Sequence, residues 1–301
     1  MKETWGPDQI PNLSGRRAMV TGADRGLGLE ITKMLISHGC AVTMAGNDRE
    51  RTIAAAAILR TASPNAEIDI QFLDLSDLES VAEFARHYRQ QHSTLDLLIN
   101  NAGVMMLPYG QTKQGFERHF GINHLGHFAL TGLLLPLIMA TADSRVVTMS
   151  SNSHKIPGLT FDDVRGATAY KPHIAYGRSK LANLLFSQEL ARRLHASGDM
   201  SLSVAAHPGQ SATNPQGRHG LRALIDRLIG QAPARGAQPA IRAATDPSAQ
   251  QGDYYGPGGF LEMRGDPVRA KPAPAALDPV LAKALWQKSE EWTGVRFAMT
   301  P

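Results

Sequence analysis

Residues 17 to 45 constrain this chain more than any other stretch. Arg17 to Thr21 form a short apolar run that is cut off by Gly22-Ala23-Asp24-Arg25-Gly26-Leu27-Gly28. Beyond the glycines, Leu27, Ile31, Met34 and Leu35 recur at helical spacing, and Ala41 to Ala45 read as a second strand. Strand, glycine turn, helix and strand in that order make a βαβ unit. The glycines let backbone approach a ligand closely, and the helix start offers free N–H groups and the positive end of a dipole. A turn of this kind, placed between a strand and a helix, suits the pyrophosphate of a dinucleotide.

The alternation continues. Arg49 to Arg60 reads as an alanine-rich helix, and Ile68 to Leu73 as a strand ending at Asp74. Ser76 is placed to cap a helix running to about Gln91. Leu95 to Ile99 is a strand of the buried type, followed by Asn100-Asn101-Ala102-Gly103, and a long helical region covers Thr112 to Met139. Arg145 to Met149 is a strand followed by Ser150-Ser151; Leu202 to Ala206 is another, followed by His207-Pro208-Gly209. Between them an irregular stretch, 152–175, leads to a helix opening at Tyr176. Six strand-like runs alternating with helices predict an α/β fold, a doubly wound parallel sheet with helices on both faces. A single domain is expected over 15–301, preceded by an irregular arm, 1–14. Past residue 209 the pattern loosens. His219 to Gly230 is amphipathic, Gln231 to Gly236 looks like a hinge, 246–279 is rich in glycine and proline, and Pro279 to Trp292 is a closing helix. The segment 210–235 is expected to form a lid over a substrate.

Composition narrows the partners. The net charge of +4 is carried by scattered basic residues with no basic run or aromatic interleaving, so no nucleic-acid surface is expected. Cys40 is the only cysteine, which excludes an intrachain disulfide and suits a reducing, cytoplasmic compartment. The N-terminus has no apolar run of signal-peptide length, and Phe128 to Met139 is too short to span a bilayer, so no membrane partner is expected.

The chemistry centres on Tyr176 and Lys180. Four residues apart on one helix, they project side by side. A neighbouring ammonium favours a phenolate and brings a phenol into the range of a general acid or base. Ser151 ends a strand at the same sheet edge, where its hydroxyl can meet a substrate carbonyl. No Gly-x-Ser-x-Gly elbow marks it as a nucleophile. Strand alternation turns Ser150 the other way. Asn123 lies inside a helical region, where an amide competes for backbone groups and a local irregularity can order a water. His119, His124 and His127 surround it, but no carboxylate or cysteine completes a metal set, so no metal is expected. Asp74 has two open readings, an acceptor for an adenine amino group or a helix-capping carboxylate.

Taken together these residues resemble the classical short-chain dehydrogenase/reductase family, over roughly residues 14–300. Asn123-His124-Leu125-Gly126-His127-Phe128 and Ser179-Lys180-Leu181-Ala182-Asn183 are most similar to its branch of retinol dehydrogenases and carbonyl reductases. The resemblance implies an oxidoreductase that interconverts a carbonyl and an alcohol. In that reading Tyr176 exchanges the proton, and Lys180 tunes it and holds the nicotinamide ribose. Ser151 positions the carbonyl, and Asn123 holds a water in a proton relay. The implied cofactor contacts are Thr21, Gly22, Asp24, Arg25, Gly26, Leu27, Gly28, Asn47, Asp74, Leu75, Asn101, Ala102 and Gly103, with Tyr176, Lys180, Pro208, Gly209 and Thr213 at the nicotinamide end. Family members form homodimers or homotetramers through helices around 112–139 and 176–195, while a long insertion before the tyrosine accompanies monomers. The rival reading is a non-catalytic protein of the same fold that senses a nucleotide.

NADP(H) is favoured over NAD(H). The acid that would hold a ribose 2′-OH at the end of the second strand is replaced by Gly46, and Arg25 reaches toward the same ribose. Asn47 stands where NADP members of the branch often carry arginine, and Asp48 opposes a phosphate while Arg49 offsets it. The apolar residues of Val104 to Leu107, 152–175 and 210–230 point to a lipophilic or aromatic small-molecule substrate.

Overall fold

The computed structural model describes residues 5–156, 158–161, 164–165, 170–209 and 231–299. Among them eight strands form one sheet: β1 (Arg17–Thr21), β2 (Ala41–Gly46), β3 (Ile68–Phe72), β4 (Leu97–Asn100), β5 (Arg145–Met149), β6 (Leu202–Ala206), β7 (Tyr254–Pro257) and β8 (Pro267–Arg269). Their order is β3-β2-β1-β4-β5-β6-β7-β8; every pairing is parallel except the last. β4 and β5 are buried at every residue. Burial along the whole strand is what a parallel sheet covered on both faces imposes.

The helices are α1 (Gly26–Ser37), α2 (Arg49–Ala62), α3 (Leu78–Gln91), a short α4 (Arg118–Phe120), α5 (Gly126–Met139), α6 (Pro172–Ala196), α7 (Pro233–Thr245) and α8 (Pro279–Thr293). One core layer packs α1, α2 and α7 against the sheet through residues such as Ile31, Leu35, Leu59 and Ile241. The opposite layer packs α3, α5 and α6 through Phe84, Phe128, Leu134 and Phe186. Strand order reverses between β1 and β4, so a crevice opens at their carboxyl ends, where ligands bind in folds of this kind.

The six strands expected from the sequence are present, and the structure adds or moves several elements. β7 and β8 lie in the glycine- and proline-rich stretch, where the sequence signal was weak. The residues read as a hinge, Gln231 to Gly236, lead directly into α7, with Pro233 supplying the pre-set φ of a first helical turn. Of the expected lid, 233–235 is therefore helix, Gln231 and Ala232 lead into it, and 210–230 lies outside the described residues. The helical region begins at Arg118, not Thr112, because Gln111 and Glu117 form a β-bridge that closes a turn before it. The cap of α3 is Asp77, which accepts from Glu79 N, rather than Ser76. The irregular N-terminal arm packs Trp5, Ile10 and Leu13 into the first core layer.

Joined end to end, α4, the turn after it and α5 form 22 helical residues, Arg118–Met139, long and apolar enough by length and composition to cross a membrane. That run is longer than the apolar stretch Phe128 to Met139. Because most of it is buried within the protein, it packs here as a core helix.

Candidate active site

The glycine turn after β1 is held from below. Thr21 Oγ1 accepts from the backbone N–H groups of Asn101 and Ala102, both at 2.9 Å, and Asn101 Nδ2 donates to Thr21 O at 2.8 Å. Gly22 takes a φ of 65°. A Cβ on Gly28 would lie 2.1 Å from Gly22 O and 2.6 Å from Asn101 Nδ2, so α1 can start this close to β1 only with glycine there. The result is a cradle of backbone at a helix N-terminus, shaped for a pyrophosphate. Arg25 stands exposed at the N-cap of α1, beside Gly26, with no ion-pair partner among the described residues. Leu27 is half-buried, and Asp24 turns inward, where Arg51 Nε approaches its carboxylate at 2.7 Å. Arg51 also pairs with Asp48, the N-cap of α2. Asn47 is exposed at the end of β2.

Asp74 follows β3. Its Oδ1 accepts from Ser76 N at 2.8 Å and Ser76 Oγ at 2.7 Å, so the carboxylate orders the turn into α3. Leu75, beside it, is buried, and α5 comes close because a Cβ on Gly126 would meet Leu75 O at 2.7 Å.

Asn123 sits in a π-helical turn, Gly121–Leu125, between α4 and α5. Its Oδ1 accepts from Val104 N at 2.8 Å, and its Nδ2 donates to Val104 O and to Ser179 Oγ. The loop after Gly103 is thus stitched to α6. A single π turn inside a helix often marks a functional position.

Tyr176, Lys180 and Ser151 converge beside it. Lys180 is buried, its Nζ donates to Met149 O at 3.2 Å, and it lies 5.8 Å from the Tyr176 ring centre. Burial pushes its ammonium down from 10.5 to about 8. A Cβ on Gly103 would sit 3.4 Å from that Nζ, which places the Asn101-to-Gly103 turn against the lysine. Burial raises the Tyr176 phenol above its ordinary value, and a hydrogen bond with the Ser151 hydroxyl pulls the other way. The adjacent lysine was expected to lower the phenol; burial raises it instead. Ser150 donates instead to Lys180 O at 2.9 Å, on the opposite side from Ser151. Pro208 and Gly209 follow β6 at the same edge, and Thr213 lies outside the described residues.

Sequence reasoning assigned His127 no part in the site. It is fully buried, one turn after Asn123, with Nδ1 3.0 Å from Asn123 O and Nε2 2.9 Å from Thr21 Oγ1. Burial pushes the ring down to about 4, so it stays neutral. It thereby links the glycine turn to the π turn; its i+4 spacing from Asn123 was the available signal. His119 and His124 point elsewhere, to Glu117 and to Ser289.

The family model for short chain dehydrogenases matches residues 16–219. The chain belongs to that family. Within it the chain falls in the retinol-dehydrogenase-like branch. It is 37% identical to mouse retinol dehydrogenase 12, over 96% of this chain and 89% of that one. Zebrafish polyprenol dehydrogenase is 36% identical, covering 96% and 90%. Among solved structures, an uncharacterised protein from Mycobacterium paratuberculosis matches 98% of this chain and 99% of its own, with 36% identity and a TM-score of 0.83. The RhlG/NADP complex of Pseudomonas aeruginosa matches 81% and 94%, with 26% identity and a TM-score of 0.65. The chain is an NAD(P)-dependent oxidoreductase acting on CH–OH groups.

Proposed function

We propose that this enzyme moves hydride between NADP(H) and a carbonyl/alcohol pair on a lipophilic or aromatic small molecule, with Tyr176 as the proton donor or acceptor. The observation that carries the reading is the buried ammonium of Lys180 beside the Tyr176 phenol and the Ser151 hydroxyl. Among the described residues its one hydrogen-bond acceptor is a backbone carbonyl. An unbalanced buried charge is costly and is kept where chemistry needs it.

The backbone cradle at Gly22, Gly26 and Gly28 fits a dinucleotide pyrophosphate, and Asn101 to Gly103 with Lys180 would hold its ribose end. When bound there, the nicotinamide would supply or take the hydride. In reduction, Tyr176 holds its proton at neutral pH, because burial keeps the phenol up, and delivers it to the carbonyl oxygen. Ser151 hydrogen-bonds that same oxygen and orients it. Lys180 stabilises negative charge on the phenolate oxygen that remains. Asn123, fixed by Val104 and Ser179, leads the replacement proton inward through an ordered water.

Two features support NADP(H). Arg51 neutralises Asp24 and Asp48, the two acids nearest the end of β2. Arg25 and Arg49 remain exposed beside Gly46, where they can meet a 2′-phosphate. A lipophilic substrate is supported by Met105 and Met106, exposed in the loop after β4, and by relatives named for retinol and polyprenol, which are both apolar alcohols. The test is kcat/KM for NADPH over NADH with a panel of lipophilic aldehydes and ketones. A ratio well above one that falls in Arg25→Ala is expected. A ratio below one rejects the cofactor, and a ratio unmoved by Arg25→Ala rejects its cause.

A further inference from the structure

The loop 258–266, between β7 and β8, has no part in the chemistry above, yet its backbone is strained toward the site. Leu261 and Glu262 take φ values of 50° and 54°, consecutive left-handed positions without a glycine. Side-chain-bearing residues hold such angles only where surrounding contacts impose them. Here Asn152 Nδ2 donates to Leu261 O and Glu262 O, each at 3.3 Å. Lys155 Nζ donates to Glu262 Oε2 at 2.8 Å. The same Oε2 lies 3.3 Å from Nε2 of His207, a ring with no exposed surface, in an approach too bent to be a strong hydrogen bond. The arrangement leaves Phe260 77% and Leu261 67% exposed while a carboxylate is turned inward. A hairpin that only needed to reverse direction has Gly258, Gly259 and Gly265 for the purpose.

The carboxylate reaches the end of β6 through His207. Gly209 N donates to His207 Nδ1 at 3.3 Å, so the ring proton is on Nε2, facing Glu262. The ring fits because residue 256 is glycine: a Cβ there would lie 1.9 Å from Nε2. Gly209 has a φ of 66°, and a Cβ on it would meet Met263 O at 2.5 Å, so the loop also presses directly on the Pro208–Gly209 turn. The His207 contact and Lys155 hold Glu262 down to about 2, so it is ionised throughout the working pH range. Burial holds His207 below its ordinary value, so it is neutral there.

We propose that Glu262 is a positioning residue for the nicotinamide end of the site. Through His207 it fixes the Pro208–Gly209 turn, and through Lys155 and the Asn152-anchored backbone it fixes that turn relative to Ser151. This rests on the reading of Pro208 and Gly209 as flanking the nicotinamide.

The experiment uses the full chain labelled with 15N-histidine, in native form and as Glu262→Ala and Glu262→Gln. Imidazole 15N shifts report the His207 tautomer without any cofactor. Titrations compare NADPH with 2′-phospho-ADP-ribose, which lacks the nicotinamide (NADH with ADP-ribose if NADH is preferred). In Glu262→Ala the His207 ring should become a mixture of tautomers, and NADPH affinity should fall about tenfold while the fragment binds as before. Glu262→Gln, whose amide oxygen can still face the Nε2 proton, should recover most of both. An unchanged tautomer in Glu262→Ala overturns the link to His207. Equal weakening of NADPH and fragment overturns a role confined to the nicotinamide end. If Glu262→Ala does not fold, Glu262→Asp, one methylene short of the ring, carries the same comparison. Gly209→Ala tests the underlying reading separately: unchanged NADPH affinity there removes the turn from the nicotinamide site, whatever Glu262 does to His207.

Discussion

Lys180→Met should make the cofactor-free protein more stable while removing its activity. The ammonium is buried, and burial takes it from 10.5 to about 8. The unfolded chain returns it to the higher value, so between those two values the unfolded state binds more protons. Stability therefore rises with pH through that window, and the destabilisation is fully present below about pH 8. Converted at about 1.4 kcal/mol per tenfold, the difference is about 3 kcal/mol at neutral pH. Methionine keeps the apolar stem and removes the charge. It forfeits one hydrogen bond of about 1 kcal/mol, but Met149 O is not orphaned, because Asn183 Nδ2 still donates to it at 2.9 Å. The net expectation at pH 7 is a gain of about 2 kcal/mol, or about 3 °C in Tm for a chain of this size. The gain should shrink by about 2 kcal/mol on going to pH 9.5. Urea unfolding of both proteins at the two pH values, followed by tryptophan fluorescence, measures this. The comparison cancels the buried tyrosines Tyr88, Tyr254 and Tyr255, whose raised values are common to both. A variant no more stable than the native chain at pH 7, or a difference that does not move with pH, refutes the reasoning.

Other outcomes follow from the same geometry. Gly28→Ala places a methyl 2.1 Å from Gly22 O, so dinucleotide affinity measured by calorimetry should fall by about 100-fold or more. The kcat/KM for carbonyl reduction should decline above about pH 8, where Lys180 loses its proton, while the raised Tyr176 phenol adds no limb below pH 10. Light scattering should find a monomer of 32.5 kDa, because α8 and the tail after it already cover α5 and α6. There Phe297 packs 4.8 Å from Phe128, and Trp286 5.8 Å from Phe186. A dimer at micromolar concentration would contradict that.

The parallel sheet was legible because its central strands are buried on both faces and therefore read as largely apolar runs, Leu97-Leu98-Ile99 being a clear case. β7 was not, because Tyr254-Tyr255-Gly256-Pro257 carries the residues that normally end strands; here Gly256 is needed to admit the His207 ring. α7 was hidden by its two prolines, Pro233 and Pro239. That Tyr176, Lys180 and Ser151 come together could be read from spacing, since Tyr176 and Lys180 share a helix face and Ser151 ends a strand. That burial raises the phenol could not, because desolvation depends on what the fold packs around it. The same limit hid His127 and Glu262, whose roles come from contacts 106 and 55 residues away in sequence, to Thr21 and His207.

Tyr176→Phe is the most direct test that Tyr176 passes the proton, because only a hydroxyl is removed. Single-turnover reduction of a lipophilic aldehyde by the preferred reduced cofactor, together with cofactor affinity and thermal stability, is the measurement. Unchanged folding and cofactor binding are expected, with a turnover lower by about 100-fold or more. Near-native turnover in the folded, cofactor-binding variant would contradict it.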